Sequence, residues 1–134
     1  MTHFETTQKH SALPAEKIYS ILADFKQLEA LLPQGKISNW QTDGDTCRFK
    51  ADGVGELGLS ISKKEPFSLV QYTGHGKVPF DFHLRIHMSP TDEGTDLSLS
   101  ADARLNPMLK MMVAKPIQKF LEMLNNAIAD YKQE

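Results

Sequence analysis

The chain has 134 residues, of which 40% are hydrophobic and 24% charged, with a formal net charge of −2. That length fits one domain spanning 1–134, large enough to bury roughly two-thirds of its unfolded surface without staples. The evenly mixed charge excludes a basic stripe for nucleic acid and a polybasic membrane anchor, and no run approaches the roughly 20 apolar residues of a membrane span.

Residues 2–10 are rich in Thr and alternate, which predicts a first strand. Pro14 suits the first position of a helix that carries Ile18, Ile21, Leu22 and Phe25 at helical spacing. Asp24, with Gln27 three residues on, is a capping-box variant opening a second short helix. Leu28, Leu31 and Leu32 supply its apolar face, and Pro33 with Gly35 ends it.

From Lys36 to Leu105 the hydrophobic period switches to two. Segments 37–41 and 46–51 flank Asp43-Gly44, a strong hairpin signal. Gly53 and Gly55 mark the next turn, before 56–62 with Leu57, Leu59 and Ile61 on one face. Glu65-Pro66 turns the chain into 68–73, whose inward face stays open because Leu69 and Val70 are both apolar. Phe80, Phe82, Leu84, Ile86 and Met88 alternate with Asp81, His83, Arg85 and His87. Leu97, Leu99, Ala101, Ala103 and Leu105 alternate in the same way with Asp96, Ser98, Ser100, Asp102 and Arg104. Such alternation means one buried and one wet face. Opposite charges across these two strands favour pairing His83 with Asp102 and Ile86 with Leu99, closing on a four-residue loop, with His83 as a surface charge partner.

Asn106-Pro107 caps a helix expected to run to about Lys132. Its apolar stripe is Leu109, Val113, Ile117, Phe120, Leu124, Ile128 and Tyr131. Pro116 lies inside and removes one backbone bond, which predicts a kink near Met112. Phe120, mid-stripe, is expected to be buried, so that Phe120→Ala costs about 3–5 kcal/mol.

Strand, two short helices, a run of strands and a long helix is the order of the α+β helix-grip fold. In it a curved antiparallel sheet of about seven strands wraps a long C-terminal helix. Leu13-Pro14-Ala15-Glu16-Lys17-Ile18-Tyr19, then Leu22-Ala23-Asp24-Phe25, resembles the opening of the START-like (SRPBCC) superfamily in its polyketide cyclase/dehydrase branch. Gly94-Thr95 entering the last strand and Leu105-Asn106-Pro107 entering the last helix fit the same pattern. The resemblance covers essentially the whole chain and implies an apolar ligand between sheet and helix.

On that reading the ligand-binding set is Phe49, Leu57, Leu59, Tyr72, Phe80, Phe82, Leu84, Leu99, Ala101, Met112, Pro116 and Phe120. Met108, Met111, Met112 and Met123 read either as core filler or as an adaptable pocket wall. Trp40 suits a rim or a core position. No metal site is expected: His83 and His87 would stand roughly 13 Å apart on a strand and point outward. His75, between two glycines, is a loop residue that would overhang a cavity mouth. Cys47 alternates with Phe49 and Ala51 and reads as a buried small hydrophobe without a partner base. As the single cysteine it excludes an internal disulfide. With an N-terminal stretch that turns polar at once, it leads to the expectation of a cytoplasmic protein. Tyr72, or Gln71 and Thr73 on the opposite face, are the obvious polar candidates mid-strand. The scarcity of inward polar groups favours a carrier for a small lipid-like or polyketide-like molecule, with no cofactor and no catalytic residue. A cyclase, dehydratase or hydrolase on such a substrate is the alternative, and a protein-interaction module with a collapsed core is a third.

Overall fold

In the computed structural model, which describes residues 1–32, 35–76 and 78–131, the period-two stretch folds into one curved antiparallel sheet. Its strands are β1 (Thr2–Glu5), β2 (Lys9–Ser11), β3 (Ile37–Asp43), β4 (Thr46–Ala51), β5 (Gly55–Glu65), β6 (Leu69–Gly74), β7 (Phe82–Thr91) and β8 (Gly94–Ala103). The spatial order is β1-β8-β7-β6-β5-β4-β3, with β2 also on β8. Helices α1 (Ala15–Leu22) and α2 (Phe25–Leu31) follow β2, and α3 (Pro107–Asp130) closes the fold. The expected helix-grip architecture is therefore present. The expected ends at Pro33 and Lys132 lie outside the described residues.

The N-terminal strand is interrupted, not continuous. Glu5 pairs with Ser100 but Lys9 with Leu97, so the segment slips by one residue against β8. Thr6 covers the slip: its hydroxyl accepts a hydrogen bond from the Leu99 amide at 2.9 Å. Asn125 of α3 donates to the Thr7 carbonyl at 3.0 Å and Gln118 to the Glu5 carbonyl at 2.8 Å, tying the helix to this segment.

Local chemistry accounts for the other joints. The Asp24 carboxylate accepts from the Lys26 amide and the Gln27 side chain, each at 3.0 Å, and so opens α2. Asp43 pairs with Thr46, which leaves Gly44-Asp45 as the hairpin turn, with Gly44 at φ 62°. The Asn106 side chain accepts from the Leu109 amide at 2.8 Å and caps α3.

The β7–β8 register is the expected one: His83 pairs with Asp102, Ile86 with Leu99 and Met88 with Leu97. Two details differ. Pairing continues to Thr91–Gly94, so the loop is the two residues Asp92-Glu93 and not four. His83 also takes Thr73 as its side-chain partner at 3.0 Å, while Asp102 binds His3 at 2.8 Å and Arg85 at 2.7 Å. The longer, forked guanidinium reaches the carboxylate diagonally and displaces the directly opposite imidazole.

Val70 and Tyr72 are fully buried, which fixes the inward face of β6. The buried stripe of α3 is Val113, Ile117, Leu121, Leu124, Asn125 and Ile128. It passes through Leu121, which is 1% exposed, and not through the half-buried Phe120.

Candidate functional site

An apolar cavity of about 40 Å³ lies between the sheet and α3. Phe49, Leu57, Leu59, Phe80, Phe82, Leu84 and Ala101 line it from the sheet side, with Phe120 from the helix. All eight are in the sequence-derived set. Val54, Ala103, Ile117 and Leu121 complete the lining. Ala103 follows from the alternation that includes Ala101. Ile117 lies on the apolar stripe, and Leu121, its i+4 neighbour, takes the inward position that the stripe had given to the i+3 Phe120. Val54 carries no periodic signal, because it sits in the turn between β4 and β5.

Four members of that set lie elsewhere. Leu99 is 1% exposed and packs in the core away from the cavity. Tyr72 is also buried, and its hydroxyl donates to the Leu22 carbonyl at 2.5 Å. Burial pushes its phenol strongly upward, so it stays neutral and structural. Pro116 faces an outer cleft with Lys36, Asp52, Gly53, Lys119, Phe120 and Met123. Met112 is 64% exposed, so the expectation that it lines the pocket is corrected. The helix turns it about 100° per residue away from the buried Val113.

Phe120 belongs to both the cavity and the cleft, whose volume is about 310 Å³. Its ring stacks on Phe49 with centroids 6.2 Å apart, and Phe49 stacks on Trp40 at 5.3 Å. Trp40 is half-buried and its indole N–H has no partner among the described residues. In the same cleft, Gly53 at φ 78° approaches Pro116 so closely that an added Cβ would lie 3.2 Å from the proline ring. The β4–β5 turn and α3 therefore meet edge to edge beside the Phe120 ring.

The lining offers no polar side chain among the described residues. Cys47 is buried outside the lining, and burial pushes its thiol up to about 12. Such a thiol is not a nucleophile at neutral pH. His75 is exposed and outside the lining, its amide bonded to the Gly58 carbonyl at 2.8 Å. His83 and His87 are held by Thr73 and Ser100 on the wet face. No group of three His, Cys, Asp or Glu able to hold a metal comes together among the described residues, and none of their helices is long and apolar enough to cross a membrane.

A family model described as polyketide cyclase/dehydrase and lipid transport matches residues 1–130. Among solved structures, a protein of Thermus thermophilus is 16% identical with a TM-score of 0.72, covering 96% of this chain and 95% of that one. Truncated norcoclaurine synthase of Thalictrum flavum is 17% identical with a TM-score of 0.71, covering 98% and 94%. A START superfamily protein of Mycobacterium smegmatis is 17% identical with a TM-score of 0.65, covering 94% and 96%. At these identities the likeness is one of fold. No curated protein matches the chain.

Proposed function

The chain belongs to the polyketide cyclase/dehydrase and lipid transport family, and from that premise we propose that it binds a small apolar molecule between the sheet and α3, without catalysis. The observation that carries this reading is the wholly apolar lining of the cavity. Proton transfer needs a positioned acid or base within hydrogen-bond reach of the substrate. Tyr72 is bonded to the Leu22 carbonyl, and burial keeps the Cys47 thiol protonated.

The cavity as it stands holds little more than a water molecule, whereas ligand pockets run from about 300 to 1,000 Å³. Binding therefore requires Phe120 to swing off Phe49. That motion joins the cavity to the outer cleft and gives a space of ligand size. Burial of apolar ligand surface at about 25 cal/mol per Å² then drives association, less the cost of immobilisation.

The small volume, beside methionines exposed on α3, favours a second reading: an interaction module with a collapsed core. A titration separates the two. Trp40 is the one tryptophan, and its ring ends the aromatic stack that Phe120 begins. An apolar fatty-acid probe at micromolar concentration is expected to shift Trp40 emission. Phe120→Ala should bind it more tightly and Val54→Phe should lose it. If neither the wild type nor Phe120→Ala takes up the probe, the ligand reading is abandoned in favour of the collapsed-core module.

A further inference from the structure

Met108, Met111 and Met112 are 72%, 89% and 64% exposed, the largest apolar side chains left in water on α3. Their i, i+3, i+4 spacing gathers them on one side of its first two turns. Lys115 and Lys119, both exposed, continue the same side one and two turns further on, whereas the exposed Lys110 lies on the opposite side. No Asp or Glu occurs from Arg104 to Leu121, although the whole chain carries a net charge of −2. The overall composition conceals this local bias: the stretch carries cations alone.

We propose that the N-terminal half of α3 docks on an anionic lipid surface, with the methionines in the headgroup–acyl boundary and Lys115 and Lys119 on the phosphates. Apolar side chains that protrude, with no facing groove, suit a deformable bilayer. Each cation near an anionic leaflet adds to the attraction. A second copy of the chain fits poorly: an isologous helix contact would set the lysines against one another with no carboxylate before Glu122 to relieve them. Asp52 is the acidic residue of the neighbouring cleft, where Lys36 and Lys119 outnumber it. Docking on this face would bring the Phe120 cleft to the membrane, but the docking itself does not depend on any ligand in the cavity.

Vesicle flotation of the full chain tests it, with phosphatidylcholine alone against phosphatidylcholine mixed with phosphatidylglycerol. The mixed vesicles are expected to capture the protein about tenfold better or more, and salt to reverse this. Met108→Gln/Met111→Gln/Met112→Gln and Lys115→Gln/Lys119→Gln should each weaken capture by about tenfold. Both variants change exposed side chains only, so an unchanged denaturant midpoint certifies their fold. The proposal is overturned if the mixed vesicles do not bind, or if the methionine variant binds as well as the wild type. It is equally overturned by a wild-type dimer that the methionine variant dissolves, or by a polyglutamate peptide that binds as tightly as the vesicles.

Discussion

Leu121 and Phe120 show how one residue step on a helix separates structure from access. Leu121 is 1% exposed and packs into the core, while Phe120 is half-buried at the boundary of the cavity and the cleft. Leu121→Ala is therefore expected to cost about 2–5 kcal/mol. Phe120→Ala falls to about 1–2 kcal/mol, below the range for a fully buried aromatic. Urea midpoints of the two variants check this, and equal losses would place Phe120 in the core after all. The sequence alone could not make the distinction, because spacings of three and four both continue an apolar helical stripe. Met112 was misplaced for a similar reason. Its chemistry suits a pocket wall, but side-chain type does not fix azimuth, and Val113 takes the inward position beside it.

At the scale of elements, the strands were legible wherever one face is wet. Apolar and polar residues alternate along 82–88 of β7 and 96–103 of β8 with charges across the strands, so their register could be worked out before any coordinates. β6 was not legible, since Leu69 and Val70 are adjacent apolar residues and only packing chooses between them. The slip between β1 and β2 was also invisible, because Thr6 replaces a ladder bond with its hydroxyl and a threonine in a Thr-rich strand signals nothing. The start of α3 was clear from Asn106-Pro107. Asn106→Ala removes the acceptor of the Leu109 amide and should cost about 1 kcal/mol, read as a lowered thermal midpoint. No change in that midpoint would mean that Pro107 alone starts the helix.

For the whole molecule, the wet face of the sheet carries a pH dependence of stability. Hydrogen bonding to Asp102 and then Glu5 raises His3 above its ordinary 6.5, and the bond to Asp96 does the same for His10. The bonds from His3 and then Arg85 hold Asp102 below its ordinary 3.8. The histidine contributions are complete below 6.5 and are lost as pH rises through their raised folded values. The Asp102 contribution is complete above 3.8 and is lost as pH falls through its lowered one. These pairs together therefore support the fold most between 3.8 and 6.5. Urea midpoints should decline from that window to pH 8, and His3→Gln/His10→Gln should flatten the decline. A variant that follows the wild-type curve would assign it elsewhere. The effect is small, since these groups are exposed and salt screens them.

β1 and β2 pair with β8, so that His3 lies opposite Asp102 and Ser11 opposite Thr95. During synthesis β1 must wait for β8 to find its partner, and nearly a hundred residues must emerge between the two before this edge of the sheet can close. Contacts so distant along the chain incur their loop entropy before they return any stability, which slows folding. α3 then arrives behind β8 and locks the same segment through Gln118 and Asn125. The fold is in this sense sewn shut by β8 and α3, with β1 and β2 held in reserve as the last stitch.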